Sequence, residues 1–150
     1  MAGERWRVFL DTNVFIAGLV SRTGASAAIL DLGEAGEIRI LISRHVLVEA
    51  DRVFSKKFPQ LTDQFRLFIK NLAPLLIDDP APAAVMAAGK VIEPGDAPIL
   101  AAVKAEPADY LVTLNTRHFI TSQVRAYVST PIVTPAEFCT AFRAFWERAG

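Results

Sequence analysis

The feature that most constrains the fold is a short apolar run, Val8-Phe9-Leu10, that ends abruptly at Asp11. An unbroken run of this kind is typical of a strand buried on both faces of a parallel sheet. In an open α/β sheet, ligands bind beyond the carboxyl ends of the strands, so Asp11 is predicted to lie in a functional site. The alternative is that Asp11 caps a helix over 13–20, because Asp is favoured at the N-cap position.

Strand-like and helix-like segments alternate along the rest of the chain. Short β-branched runs predict strands, and apolar residues at helical spacing predict helices. This alternation predicts one domain, 1–150, folded as a three-layer α/β/α sandwich with a mainly parallel central sheet of about four to five strands. The predicted strands are 8–10, 38–42, 74–77, 110–113 and 132–133, and the predicted helices are 13–20, 26–32, 43–58, 62–72, 82–88, 96–105 and 135–147.

Composition limits the classes of protein to which the chain can belong. It is 52% hydrophobic, and sixteen basic side chains balance sixteen acidic ones. These values indicate a globular protein without the long-range field of a nucleic-acid coat, so any polyanion must be bound locally. No apolar run approaches the ~20 residues of a membrane span, and Asp11 interrupts the first apolar segment before it could serve as a signal peptide. The single Cys139 favours a reducing cytoplasm.

A second acid, Glu49, lies at a position on the helix after Ser43 where an unpaired charge is unfavourable. The inward stripe of this helix is formed by Val46, Ala50, Val53 and Phe54, and Glu49 lies at the edge of that stripe. An ionised carboxylate facing the sheet is costly unless a partner neutralises it. The alternative is a boundary glutamate paired with Arg44 or Arg52.

A third acid, Asp96, follows the turn residues Pro94 and Gly95 and precedes a very apolar segment. A helix cap is again the alternative interpretation. Glu93 is a neighbouring candidate, but it precedes the turn and is expected to face water.

Three acids from a strand end, a helix face and a helix start can converge only in a crevice between elements. Carboxylates brought together in this way repel one another unless a cation is present, and an all-oxygen ligand set selects Mg²⁺ or Mn²⁺ over zinc. Such ions bind phosphate oxygens and lower the pKa of a water molecule. The residues therefore indicate a metal-dependent phosphodiesterase or phosphatase.

The ordered set of motifs resembles a PIN-domain ribonuclease, and most closely the VapC-like toxins of bacterial toxin–antitoxin pairs. The resemblance is carried by residues 8–16, Ser43 to Glu49, Gly95-Asp96, and the segments 110–113 and 132–138. It implies a Mg²⁺- or Mn²⁺-dependent endonuclease of single-stranded RNA that is dimeric and is silenced by a small antitoxin. Asp11, Glu49 and Asp96 match the acidic metal site of the family.

The region after the fourth strand both matches the family and departs from it. Thr113 matches a hydroxyl that closes the pocket, but the fourth acid found in many members is replaced at Asn115 or His118. Asp109 is not a substitute, because four strand residues at ~3.3 Å each place it at the opposite end of the sheet. The resemblance therefore implies three charged ligands, with Asn115 offering a neutral oxygen. The candidates for orienting the substrate are Asn13, Thr113, Asn115, Arg117 and His118, and the alternative for Arg117 and His118 is simple surface exposure.

Two apolar stripes are compatible with either packing in the core or binding a partner. The C-terminal helix carries Phe138, Phe142, Phe145 and Trp146 at helical spacing, and the segment 62–72 raises the same question for a dimer or an antitoxin. Aromatic residues are common in both settings.

Two other functions remain open from the sequence. A catalytically silent domain that binds RNA or an antitoxin would explain the missing fourth acid. A phosphatase with Asp11 as nucleophile would want a second Asp two residues on, where this chain has Asn13.

Overall fold

The computed structural model describes residues 5–149, which form a five-stranded sheet with helices around it. All strand pairs are parallel, and the spatial order of the strands is β3-β2-β1-β4-β5. The strands are β1 (Arg7–Leu10), β2 (Arg39–Ser43), β3 (Leu75–Ile77), β4 (Tyr110–Val112) and β5 (Ile132–Val133). The first strand of the chain is therefore the central one, as its unbroken apolar run predicts.

Helices supply the connections between the parallel strands. They are α1 (Thr12–Val20), α2 (Ala25–Glu34), α3 (Arg44–Lys57), α4 (Thr62–Leu72), α5 (Pro82–Ala88), α6 (Ala97–Ala105), α7 (Thr116–Phe119), α8 (Ser122–Tyr127) and α9 (Pro135–Ala149). Crossovers between parallel strands are right-handed. The helices that connect β1 to β2 and β2 to β3 therefore cover one face of the sheet, and those that connect β3 to β4 and β4 to β5 cover the other. This confirms the predicted α/β sandwich.

The core lies on both faces of the central strand. Val8, Phe9 and Leu10 are fully buried, and Phe54 and Phe138 are equally inaccessible on flanking helices. Because β1 is buried on both sides, its carboxyl end is held rigidly among its neighbours, which makes it a suitable place to fix a side chain.

The helix ends follow the predicted capping chemistry in most places. Ser43 caps α3 by accepting from Val46 N, and Thr134 and Glu137 exchange the two hydrogen bonds of a capping box at the start of α9. The alternative that the Asp96 side chain caps its helix is wrong, although Asp96 does occupy the N-cap position of α6. Asp96 ends a 3₁₀ turn, Pro94–Asp96, and its side chain makes no capping bond to α6.

The aromatic stripe of α9 is partly packed in the core and partly exposed at the surface. Phe138 is buried, Phe142 is half-buried, and Phe145 and Trp146 are 39% and 56% exposed. Trp6, just before β1, packs against the first three rings of this stripe. The stripe is therefore core at its beginning and surface at its end.

No single helix within residues 5–149 is long and apolar enough to cross a membrane. The pair α1 and α2 reaches the necessary length and composition only when the two helices are taken together, and they meet at a bend of 96°.

Candidate active site

Asp11 lies directly beyond the carboxyl end of β1 and is 5% exposed. Its backbone N–H donates to Val112 O across 3.0 Å, which joins it to the end of β4. Its Oδ1 accepts a 2.7 Å hydrogen bond from Thr12 N at the start of α1. The cap interpretation is thus correct for one carboxylate oxygen, and the other oxygen points elsewhere.

That second oxygen is held by Thr113, which follows β4 and is fully buried. Thr113 Oγ1 donates to Asp11 Oδ2 across 2.7 Å and accepts from Asn115 N across 2.9 Å. The hydroxyl therefore connects the central carboxylate to the loop after β4.

Glu49 reaches the same end of the sheet from α3. Thr12 Oγ1 donates to Glu49 Oε1, and Thr12 N donates to Asp11 Oδ1. The two carboxylates are therefore hydrogen-bonded to the same residue. The other carboxylate oxygen, Oε2, lies 4.0 Å from His45 Nε2. The alternative pairing with Arg44 or Arg52 is wrong, because no ion pair within residues 5–149 joins them to Glu49.

Asp96 is held by the loop and short helix that follow β4. His118 Nδ1 lies 2.7 Å from Asp96 Oδ2, and Asn115 Nδ2 lies 3.4 Å from each Asp96 oxygen. The His118 side chain is 38% exposed, so it stands between this carboxylate and solvent. Simple surface exposure is therefore the wrong interpretation of His118.

Asn115 does not present the neutral oxygen that the sequence comparison implies. Its Oδ1 accepts from His118 N across 3.3 Å and caps α7, which turns Nδ2 towards Asp96. Where a fourth acid would add negative charge, Asn115 instead supplies a hydrogen-bond donor to an existing acid.

Asn13 and Arg117 are exposed on α1 and α7. Within residues 5–149 neither side chain forms a hydrogen bond or an ion pair with the three acids. Asn13 lies two residues after Asp11, and Arg117 lies one residue before His118.

The pKa of Asp11 is raised because its carboxylate is buried and lies near two other acids. Burial raises the pKa of Asp11 to about 6, the hydrogen bonds from Thr113 and Thr12 lower it, and the charges of Asp96 and Glu49 raise it. In the described part of the chain, no Lys or Arg forms an ion pair with any of the three acids. A divalent cation would remove this cost by favouring the ionised form.

The donor set fits a hard divalent cation, although the described residues do not form a ready-made cage. The acids are near enough for Asp96 and Glu49 to raise the pKa of Asp11, and carboxylate oxygens are the ligands that Mg²⁺ and Mn²⁺ prefer. Within residues 5–149, no three His, Cys, Asp or Glu side chains are grouped as a preformed metal site. The side chains would therefore draw together around an ion.

Two residues beside the acids were missed by sequence reasoning. His45 has the i,i+4 spacing to Glu49 that brings side chains together on a helix, and this signal was available. His45 Nε2 is buried and has no hydrogen-bond partner among residues 5–149. The hydroxyl of Thr12 carried no signal, because its contact with Glu49 depends on how α1 packs against α3.

The family model for the PIN domain matches residues 7–117. The chain belongs to the PIN domain family. The matched span contains Asp11, Glu49, Asp96, Thr113 and Asn115, and His118 lies one residue beyond it. PIN domains are generally nucleases that use divalent metal ions. Family membership therefore agrees with the chemistry of the acidic site.

Solved structures share this fold at low sequence identity. VapBC2 from Rickettsia felis, bound to a DNA fragment from its promoter, is 22% identical with a TM-score of 0.60, and the alignment covers 85% of this chain and 96% of that one. PAE2754 from Pyrobaculum aerophilum is 13% identical with a TM-score of 0.63, covering 93% and 90%. FitAcB from Neisseria gonorrhoeae is 19% identical with a TM-score of 0.60, covering 85% and 97%. No curated protein matches this chain significantly in sequence.

Proposed function

We propose that this PIN domain is a Mg²⁺- or Mn²⁺-dependent endoribonuclease that hydrolyses phosphodiester bonds of single-stranded RNA. The observation that carries the proposal is Asp11, a buried carboxylate whose pKa is raised to about 6 by burial and by two further acids, with no basic side chain among the described residues to neutralise it. Asp11, Glu49 and Asp96 would hold the ion. When bound, a divalent cation of this kind lowers the pKa of a water molecule and neutralises phosphate charge.

Neighbouring groups limit the motion of each of the three acids, although the acids would still draw together around an ion. Thr113 and Thr12 N hold the two oxygens of Asp11, so its rotation is limited. Thr12 Oγ1 orients Glu49, and His118 orients Asp96. Preorganised ligands of this kind lose less conformational entropy when the site closes.

His118 is also placed to move a proton. Because Nδ1 lies 2.7 Å from Asp96 Oδ2, the neutral ring would carry its proton on Nδ1 and leave Nε2 as an acceptor. During hydrolysis a water oxygen forms a bond to phosphorus, the bond to the ribose oxygen breaks, and that oxygen takes up a proton. The Nε2 atom of His118 would accept the proton that the water oxygen loses, solvent would protonate the ribose oxygen, and Arg117 and Asn13 would contact the RNA backbone.

The partner in this proposal is a small antitoxin, and the chain is the toxin of the pair. The support is the sequence resemblance to such toxins together with the fold shared with VapBC2 and FitAcB. A homodimer is proposed on the same resemblance. Co-expression with the product of the neighbouring reading frame, followed by size-exclusion chromatography, tests both assemblies.

The deciding experiment is an incubation of purified protein with mixed single-stranded RNA and Mn²⁺, with and without a chelator. We expect cleavage that requires the metal and is abolished by Asp11→Asn. The matched control is Asp63→Asn, which removes an exposed acid from α4. Cleavage that survives Asp11→Asn in a preparation free of contaminating RNase would overturn the proposal.

A catalytically silent domain that binds RNA or an antitoxin is the second candidate. It is favoured by Asn115, which places an amide where many family members carry a fourth acid. The same incubation separates the two, because a silent domain retains RNA without cutting it. A phosphatase is the third candidate and would hydrolyse a small phosphomonoester instead.

A further inference from the structure

A large groove lies at the opposite end of the sheet from the acids, where the strands begin. It has a volume of about 1000 Å³ and is bounded by the residues that begin the strands, among them Arg7 of β1 and Arg39 of β2. Arg7 and Asp11 stand four residues apart along one strand, which separates the groove from the acids by at least ~13 Å. It is therefore a separate feature of the molecule.

The groove concentrates positive charge on a chain whose net charge is zero. Arg5, Arg7 and Arg39 line it together with a single carboxylate, that of Glu37. Within residues 5–149 none of the three guanidinium groups forms an ion pair, and Arg39 Nε is buried without a hydrogen-bond partner. The guanidinium groups of Arg5 and Arg7 donate to backbone carbonyls at 3.5 and 3.3 Å, and the Asp109 carboxylate accepts from the backbone N–H of Arg7 at 2.7 Å. An anion would supply the missing acceptors.

Aromatic rings stand beside these cations in the same groove. Trp6 and Phe145 lie 4.8 Å apart between ring centroids, and Trp146 stacks on Phe142 with its rings inclined by 22°. Phe145 and Trp146 are 39% and 56% exposed, so ring surface is available to a ligand. Cationic grooves with accessible aromatic rings are the general means by which proteins bind single-stranded nucleic acid, since bases stack on the rings while arginines hold the phosphates.

We propose that this groove, at the amino edge of the sheet, is a second binding site for single-stranded RNA. The site would hold a part of the RNA remote from the bond that is cut, so the inference rests on the proposed function for its purpose. An acidic peptide is the competing ligand class, but it would need aliphatic pockets for its apolar side chains. Among the described lining residues, Leu75 is the only aliphatic side chain larger than alanine.

The test measures binding alone, in chelator, with the Asp11→Asn chain as the parent so that neither metal nor cleavage contributes. The probe is a fluorescent oligouridylate of about 15 nucleotides, within the range of site sizes for single-strand binding proteins. We expect Trp146→Ala to raise the Kd about tenfold, and Trp146→Phe to restore most of the affinity because it keeps a ring. Thermal melting confirms that these surface variants fold.

Salt dependence gives a second, independent readout. Each phosphate contact on a single strand contributes about 0.7 to the slope of log affinity against log salt, so Arg5→Ala and Arg39→Ala should each reduce that slope by about this amount. The control is Arg22→Ala, which removes the same charge from an exposed residue outside the groove. Arg5 is exposed, so its variant remains informative if Arg39→Ala is unstable.

Two outcomes would overturn the proposal, and a third would support the groove assignment while contradicting the proposed nuclease activity. Wild-type affinity and slope in both Trp146→Ala and Arg5→Ala would overturn it. So would poly-L-glutamate binding more tightly than the oligouridylate through the same residues, which would identify a site for an acidic peptide. If the groove residues control RNA binding but the metal-loaded wild type cuts no RNA, the groove assignment is supported and only the proposed nuclease fails.

Discussion

Thr113 Oγ1 donates a 2.7 Å hydrogen bond to Asp11 Oδ2, although the two residues are 102 positions apart in the chain. The bond joins the ends of two neighbouring strands, β1 and β4, and both side chains are buried. Thr12 N holds the other oxygen of Asp11 at 2.7 Å. The central carboxylate is therefore fixed on both sides by residues whose positions depend on the sheet, and its charge is the least solvated of the three acids.

The first prediction concerns the stability of the metal-free protein as a function of pH. The pKa of Asp11 is about 6 in the folded chain against 3.8 for an ordinary Asp, so between these values only the folded state binds the proton. The free energy of unfolding should therefore fall as pH rises from about 4 to 6, by on the order of 3 kcal/mol. Asp11→Asn should remove this dependence and stabilise the metal-free chain at pH 7.

The measurement is denaturant unfolding of wild type and Asp11→Asn in chelator at several pH values. The two curves should converge near pH 4 and separate at higher pH. If the wild type is the more stable protein at pH 7 in chelator, Asp11 is not carrying an unfavourable charge. Adding Mn²⁺ should stabilise the wild type increasingly as pH rises through 6, since the ion binds the ionised carboxylate.

The second prediction concerns Thr113→Val, which keeps the shape of the side chain and removes its hydroxyl. Above pH 6 the change leaves a buried charge with one hydrogen bond fewer, so we expect a loss of about 1.5 to 3 kcal/mol, and a smaller loss at pH 4 where Asp11 is protonated. The matched control is Thr130→Val, a buried threonine bonded to the backbone of Ala108. Its cost should not vary with pH, and an equally flat profile for Thr113→Val would refute the charge argument.

The third prediction separates a metal ligand from a surface acid at Glu49. Glu49→Gln keeps an oxygen for the Thr12 hydroxyl, so stability should change by less than about 0.5 kcal/mol, while the affinity for Mn²⁺ should fall about tenfold. Isothermal calorimetry measures this affinity. The control is Glu106→Gln, which changes an exposed acid. If Glu49→Gln binds Mn²⁺ as tightly as the wild type, Glu49 is a surface acid and not a metal ligand.

The fourth prediction uses the missing fourth acid. Asn115→Asp keeps an oxygen for the cap of α7 but replaces the donor beside Asp96 with a second carboxylate. Two charges ~4 Å apart interact by about 4 kcal/mol at an effective dielectric of ~20, and repulsion and desolvation reduce this to about a tenfold gain in Mn²⁺ affinity. The metal-free variant should melt at a lower temperature than wild type. Asn115→Ser, which retains a capping oxygen without charge, should show neither effect.

Local signals predicted much of the fold from the sequence. The bounds of α4, α5 and β5 are as predicted, and the capping box of Thr134 and Glu137 forms both of its hydrogen bonds. Each of these elements is specified by residues close together in the chain: a proline at the first turn, an apolar stripe, or a β-branched pair between turns. The order of the strands along the sheet was not predicted, because it depends on pairing between segments far apart in the chain.

The errors at Asn115 and His118 share a cause, which is the unpredicted helix α7. Its four residues are too few to show a helical period, and α8 has only six. Without α7, Asn115 has no reason to turn its oxygen away from the acids and His118 has no reason to approach Asp96. Contacts of this kind depend on where a short element begins, and sequence periodicity does not contain that information.

The order in which the chain is made has a consequence for the contact between Asp11 and Thr113. Ribosomes add about 5 to 20 residues per second, so about 5 to 20 s separate the synthesis of these two residues. During that interval β1 lacks β4, the Asp11 carboxylate lacks its Thr113 hydrogen bond, and residues 115 to 118 are not yet present beside Asp96. A nascent chain therefore carries its first acid long before the residues that follow β4 are made, and the three acids reach their final arrangement only after Thr113, Asn115 and His118 have joined them.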